Sequence, residues 1–282
     1  MLLTRRDLYV FVAAMIAYLV VALIGQLLLP AFASIIAIGG GVALSMLLQL
    51  RLFRSILLHL AEAQRSQKRQ RKFDNRRIDA LFSLYATLGK LNHPLPPMIG
   101  WAITPYFAAL LAALILEHHP SVVLETGSGV STLIIGYCLR KTGGRLISLE
   151  NNERFFTQTQ HSLEAHGLQD IVTVLYTPLK PISIQGKTWQ WYDISALSDL
   201  PKINFLLVDG PYGTLQKHSR YPAVPLLSQW LDTSPVIILD DYSRVEEQEI
   251  GEMWLRILKD FHAEQFDTEH GTLVLTHMAQ PA

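Results

Sequence analysis

Cysteine is nearly absent. Cys138 is the only one in 282 residues, which excludes an intrachain disulfide and a cysteine-built metal site. It sits in an expected helix, where a lone thiol serves as a small buried hydrophobe. Charge is missing from an entire region: no Asp, Glu, Lys, Arg or His occurs between Asp7 and Arg51. Leu8 to Leu50 therefore has nothing with which to build a charged face toward water, and an ordinary surface helix pair is excluded there. Net charge is missing as well, with 24 basic and 24 acidic residues, but the balance is uneven along the chain. Residues 1–77 carry 11 Lys/Arg against 3 Asp/Glu, and residues 78–282 carry 13 against 21, so +8 stands against −8. The longer part is acidic with scattered basic residues, which argues against nucleic acid as a partner. There is no internal repeat and no long low-complexity tract.

The uncharged run would make a helix of about 65 Å, roughly twice the ~30 Å hydrocarbon core of a bilayer. Two passes fit where one does not. Pro30 lies near the middle and is a natural reversal point, so helices are expected at about 8–29 and 32–50. Arg5 and Arg6 precede the run and Arg51 and Arg54 follow it. Positive residues at both ends, with none at the turn, put both ends on the cytoplasmic side of a bacterial inner membrane. Gly39-Gly40-Gly41 permits close helix packing. A signal peptide ending at Ala31-Phe32-Ala33 is an alternative, but the apolar stretch that follows would act as a stop-transfer segment. Residues 51–77 hold nine Lys/Arg and two Asp/Glu, and they read as a basic juxtamembrane helix or linker near anionic headgroups. The expected division is a transmembrane hairpin at 1–50, a basic helix and linker at 51–99, and a catalytic domain at 100–282.

The remainder alternates strands and helices. Pro94, Pro96 and Pro97 mark a loop, and an apolar helix follows at about 106–117. Strands are expected at about 121–125, 145–150, 171–176, 203–209 and 235–240. Helices are expected at about 130–141, 152–165 and 245–260, and a terminal hairpin at about 263–276 turns at Glu269-His270-Gly271. Residues 177–193, with Trp189, Trp191, Tyr192 and Asp193, receive no element. Continuously apolar strands alternating with helices indicate a parallel α/β sheet covered on both faces. Ligands of such sheets bind beyond the strands' carboxyl ends, where this sequence places Glu125, Glu150, Asp209 and Asp240.

The first of these ends is the most informative. Gly127 and Gly129 remove side chains where the backbone must turn sharply and approach a ligand. Ser131 and Thr132 open the next helix, whose amides point outward. Glu150 can accept from two adjacent ribose hydroxyls, a geometry that also serves NAD. Two details separate the cofactors. Thr132 stands where the third glycine of G-x-G-x-x-G would be. Glu125 lies against the turn, where it repels a pyrophosphate and attracts the amino and sulfonium groups of S-adenosylmethionine.

Four segments in order, Glu125-Thr-Gly-Ser-Gly-Val-Ser-Thr132, Ile147-Ser-Leu-Glu-Asn151, Leu206-Leu-Val-Asp-Gly-Pro-Tyr-Gly213 and Ile237-Ile-Leu-Asp-Asp241, resemble the class I S-adenosylmethionine-dependent methyltransferases. The likeness is greatest to the bacterial branch similar to catechol O-methyltransferase, and it covers about 100–276. It implies a Rossmann-like seven-stranded sheet of order 3-2-1-4-5-7-6. It implies cofactor contacts at Glu125, Gly127, Ser128, Gly129, Ser131, Glu150, Asn151 and Asp209. It also implies that Trp101 to Pro105 resembles an element covering the cofactor. In the metal-dependent members, an Asp after strand four and an Asp-Asn after strand five bind magnesium. Asp209, Asp240 and Asp241 match these positions, with Asp241 in place of Asn, and Tyr212 stands where those members carry a lysine. The expected function is O-methylation of a small-molecule or lipid-linked acceptor, with Asp209 or His218 as base. Lys217 is a third candidate base, and Tyr212, Arg220 and Tyr221 either bind substrate or pack the loop. An NAD-dependent oxidoreductase and a non-catalytic membrane scaffold are the alternatives.

Overall fold

The computed structural model describes residues 5–28, 30–197 and 200–278. The chain divides into two compact units, 1–73 and 74–282.

The first unit is helical. Helix α1 spans Arg5–Leu28 and α2 begins at Pro30. Proline suits a first helical position, because its fixed φ is already helical and its missing N–H would be unpaired there anyway. Tyr18 of α1 packs on the glycine stretch of α2: a Cβ at Gly41 would lie 2.9 Å from its hydroxyl and one at Gly40 3.4 Å from its ring. Gly39 faces open space. Tyr18 and Gly41 are nearly equidistant along the chain from residue 29, as an antiparallel pair requires. Apolar side chains such as Leu19, Val21, Leu23, Ile35, Ile36 and Ile38 are exposed. Among the described residues, one helix, Ile38–Leu88, is long and apolar enough by composition to cross a membrane, and Val12–Gly25 is a shorter apolar helix.

Helix α2 does not stop after the apolar run. It continues through the expected basic juxtamembrane helix or linker to Leu88 as a single 59-residue helix. No proline or glycine occurs between Val42 and Leu88, so nothing in the backbone ends it. Gly89 does: its φ is 73° and its N–H reaches the Tyr85 carbonyl at 2.9 Å, the left-handed stop that glycine supplies without steric cost.

The second unit is the expected sandwich. Its elements are α3 (Pro105–His118), β1 (Val122–Thr126), α4 (Val130–Thr142), β2 (Arg145–Glu150), α5 (Glu153–His166), β3 (Val172–Tyr176), β4 (Leu179–Ile184), β5 (Lys187–Tyr192), β6 (Ile203–Val208), α6 (Ala223–Leu227), β7 (Leu231–Asp240), α7 (Val245–Ile257), β8 (Phe261–Phe266) and β9 (Thr272–His277). Seven strands form one sheet of order β3-β2-β1-β6-β7-β9-β8. Counting only those seven, this is 3-2-1-4-5-7-6. The first five strands are parallel, and β9 is antiparallel to both neighbours. Period-two alternation fills two cores. Val123, Phe205, Leu207 and Ile238 join Phe107, Leu111, Leu133 and Ile134 on one face. Leu124, Leu206, Val208, Ile237 and Leu239 join Val224, Leu227 and Trp254 on the other.

Residues 179–192 form an antiparallel hairpin, β4–β5, which the strand pattern did not reveal. It turns at Gln185 (φ 50°) and Gly186 (φ 80°), two consecutive left-handed residues that match the twist of paired strands. Its aromatic side chains Trp189, Trp191 and Tyr192 join the second core. The parallel register aligns the strand ends that matter: Thr126 pairs with Leu149 and Val208, and Val208 pairs with Leu239.

Candidate active site

The turn after β1 is held open by its own backbone. Gly127 adopts φ 92° and donates to the Leu149 carbonyl at 2.8 Å, a conformation that disfavours any side chain. Gly129 is extended, and a Cβ there would meet nothing within 4 Å, so the chain leaves space beside it. Thr132 ties the turn to the strand. Its hydroxyl accepts from the Gly129 N–H at 2.8 Å and donates to Glu125 Oε2 at 2.6 Å.

Glu125 is fully buried at the end of β1. Ser148 donates to the same Oε2 at 2.7 Å, whereas Oε1 is buried with no partner among the described residues. Burial pushes this carboxyl up to about 7, against the pull of the neighbouring hydroxyls of Ser131, Thr132 and Ser148. An unpaired buried carboxylate oxygen is costly, and its presence beside a glycine turn marks a place for a donor or a cation from outside the chain.

Glu150 lies opposite, at the end of β2. Its Oε2 accepts from the Ser128 N–H at 2.9 Å and the Ser128 hydroxyl at 3.0 Å, and its Oε1 from the Asn152 N–H at 2.8 Å. The carboxylate is thus fixed in orientation, with one acceptor position, on Oε1, left for a further donor. Asn151 is half-buried between Glu150 and Asn152, and Asn152 caps α5 by accepting from Arg154 and Phe155. The structure brings Glu125, Gly127, Ser128, Gly129, Ser131 and Glu150 together.

Asp209, Asp240 and Asp241 also converge, with candidate ligand atoms within 4.8 Å of one another. A guanidinium already occupies that convergence. Arg220 is 3% exposed, and one of its nitrogens lies 3.0 Å from Asp209 Oδ1 and 2.8 Å from Asp241 Oδ2, while another donates to the Asp240 carbonyl at 3.0 Å. Arg244 reaches Asp241 at 2.9 Å and His270 lies 3.4 Å from its other oxygen. Three carboxylates would suit a hard divalent ion, but an ion seated on these oxygens would lie against a fixed positive nitrogen. The residues present do not fit magnesium. Burial raises the Asp209 carboxyl to about 6, with Arg220 pulling it down and Asp241 pushing it up. Burial, then Asp209 and Asp241, raise Asp240 well above the usual carboxylate range. Asp209 is the least buried of the three.

Tyr192 was not singled out as a site residue, yet it belongs here. A Cβ on Gly210 would collide with its hydroxyl, so Gly210 is needed for the two to meet. Burial raises the Tyr192 hydroxyl well above its ordinary value, and the carboxylates of Glu150, Asp209 and Glu125 act in the same direction while Arg220 opposes them. The signal lay in the Gln185-Gly186 turn with an alternating aromatic strand after it. His218 takes a different position. It adopts φ 59°, its backbone N–H donates to Glu246 at 3.1 Å and its imidazole pairs with Glu249 of α7. Lys217 pairs with Glu249 too. Tyr212 is 41% exposed, and Trp101, in the loop before α3, is 81% exposed. The structure leaves both in solvent. An open recess of about 860 Å³ lies beside α5, lined by His93, Arg154, His161 and His166 among others, and shares no residue with the cradle.

These features gather at the carboxyl ends of the parallel strands of a mixed sheet of order 3-2-1-4-5-7-6. Residues 124–242 match the family model for a methyltransferase domain. The matched span runs from the strand before the glycine turn to just past the Asp240-Asp241 pair. No curated protein matches the chain significantly. Among solved structures, an SAH-bound methyltransferase of Podospora anserina aligns with 71% of this chain and 88% of its own, with TM-score 0.50 and 15% identity. An O-methyltransferase of Bacillus cereus in complex with SAH covers 72% of this chain and 90% of its own, with TM-score 0.47 and 18% identity. TomG of Streptomyces achromogenes, an O-methyltransferase in complex with SAM, covers 72% and 90%, with TM-score 0.48 and 14% identity. At such identities the likeness is one of fold, and the second unit has the methyltransferase fold.

Proposed function

We propose that this protein is a membrane-anchored, S-adenosylmethionine-dependent methyltransferase that modifies an oxygen of a small-molecule or lipid-linked acceptor. The observation that carries the reading is the unpartnered, buried Oε1 of Glu125 behind the Gly127–Ser131 turn. A cationic cofactor group satisfies that oxygen, whereas a pyrophosphate would be repelled by it. This disfavours the NAD-dependent alternative. The solved relatives named above bind SAH or SAM, which agrees with the choice.

S-adenosylmethionine supplies an electrophilic methyl on sulfonium and leaves as S-adenosylhomocysteine. The chain's own part is to bind and orient. Glu125 accepts from the amino group, the glycine turn lets backbone approach closely, and Glu150 accepts from a ribose hydroxyl. As the acceptor oxygen–methyl bond forms and the sulfur–methyl bond breaks, the acceptor's proton needs a base. Asp209, with its carboxyl raised toward neutrality, suits that role better than His218, whose ring is taken by Glu249. Holding cofactor and acceptor in line supplies much of the acceleration.

Anchoring is supported by the uncharged run Leu8–Leu50 within α1 and α2, its exposed apolar side chains and the flanking Arg51 and Arg54. This favours the bacterial inner membrane with the catalytic domain in the cytoplasm. Calorimetric titration of the full-length protein in detergent with S-adenosylmethionine tests the core of the proposal. Micromolar binding lost in Glu150→Ala is expected, and absence of binding by the folded wild type would refute it. Resistance of the protein to carbonate extraction from membranes tests the anchor.

A further inference from the structure

We infer that Arg220 is the resident cation of the Asp209–Asp240–Asp241 cluster and that this site takes no divalent metal. Buried carboxylates need a counter-charge or a full set of donors. The Arg220 guanidinium provides the counter-charge: one nitrogen bridges Asp209 and Asp241 at 3.0 and 2.8 Å while the second holds the backbone carbonyl of Asp240 at 3.0 Å. A magnesium or manganese ion drawing on the Asp209 and Asp241 carboxylates would lie beside that nitrogen and meet it with like charge.

The guanidinium cannot readily step aside. Arg220 is buried, and its neighbours are fastened: the Tyr221 carbonyl accepts from the Trp254 indole N–H at 2.9 Å, and the Tyr221 N–H donates to the His218 carbonyl at 2.9 Å. Nor can it lose its charge, because arginine stays protonated in proteins. Arg244 and His270 add positive or donor groups on the other side of Asp241, so a metal approaching from there meets them as well. Arg220 thus acts as a positioning residue. It fixes Asp209, the one member of the cluster facing solvent, without touching the acceptor itself. That orienting role rests on the methyltransferase reading, but the exclusion of metal does not.

Electron paramagnetic resonance of Mn2+ titrated into the full-length protein tests the inference independently of cofactor binding. Wild type and Arg220→Lys, which keeps the charge, should leave the free-ion signal unchanged. Arg220→Gln should remove the signal of one equivalent of Mn2+, and its unfolding temperature should rise with Mn2+ while that of wild type does not. A merely structural arginine would produce no such gain of metal binding, so a folded Arg220→Gln that ignores Mn2+ overturns the inference. Should that variant not fold, the wild type decides. Mn2+ held by wild type and released by Asp241→Asn overturns the inference, and a silent wild type upholds it. Titration of the same samples with S-adenosylmethionine reports separately on the methyltransferase reading.

Discussion

Replacing Glu125 by glutamine should change how stability depends on pH. The carboxyl is raised from 4.5 to about 7, chiefly by burial. Between those values the folded state keeps a proton that the unfolded state has lost. The protonated form therefore contributes stability that is complete below about pH 4.5 and is lost as the pH rises through about 7. A shift of this size corresponds to about 3 kcal/mol at about 1.4 kcal/mol per unit. The group is fully buried, so solvent screening does not reduce the figure. Glutamine is nearly isosteric and does not titrate. Its carbonyl can keep the bonds from Thr132 and Ser148, while its amide takes the place of Oε1. Denaturant unfolding of wild type and Glu125→Gln, both without cofactor, should be compared at pH 5 and pH 8. The wild type should lose about 2.5 kcal/mol more than the variant over that interval, and the difference between the two cancels other titrating groups. Parallel stability curves would refute the reasoning, because they would mean that Glu125 titrates normally and that its Oε1 is solvated. The variant should also bind S-adenosylmethionine more weakly at pH 8 despite its greater stability, since it offers the amino group no charge.

Gly210→Ala should destabilise the second unit by roughly 1–3 kcal/mol, as overpacking does, because the added methyl collides with the Tyr192 hydroxyl and approaches the Gly127 nitrogen at 3.2 Å; the shift in unfolding midpoint measures it. Gly210→Ala combined with Tyr192→Phe should recover part of that loss. His218→Ala should keep turnover within about tenfold of wild type, below the usual contribution of a general base, whereas Asp209→Asn should lose more; initial rates on any accepted substrate decide between them. Chelation of divalent ions should leave turnover unchanged, checked by the same rates with and without EDTA.

Strand-turn-helix chemistry was legible because its causes are local. Gly127, Gly129 and the flanking Glu125 act within a few residues of one another, and apolar strands declare a two-faced sheet wherever they lie. That is why the convergence of strand ends could be anticipated, whereas the sheet order was implied only by the resemblance to the class I methyltransferases. The helix from Pro30 to Leu88 shows a different limit. Its polar middle reads as a helix or linker by composition, but proline and glycine are the residues that end a helix from within, and none occurs between Val42 and Leu88. The absence of a breaker was the better guide. The β4–β5 hairpin was hidden because Pro181 and the many polar residues dilute the alternation, so its position depends on Trp189, Trp191 and Tyr192 finding the second core.

The carboxylate cluster illustrates why a motif can mislead about chemistry. Asp209, Asp240 and Asp241 present the same letters whether their counter-charge is an ion or a side chain. The deciding residue, Arg220, lies eleven positions beyond Asp209 in a loop without a motif of its own. Its role arises only when β6 and β7 stand side by side, Val208 against Leu239, and bring Asp209 and Asp241 to opposite sides of one guanidinium nitrogen. A cation supplied by the chain stays at fixed stoichiometry and cannot be removed by a chelator. It also fixes Asp209 through a planar, directional group where a metal would have left ligand positions open for the acceptor. On the methyltransferase reading, recognition of an acceptor falls to side chains around Asp209, and no metal-bound pair of oxygens is required of it.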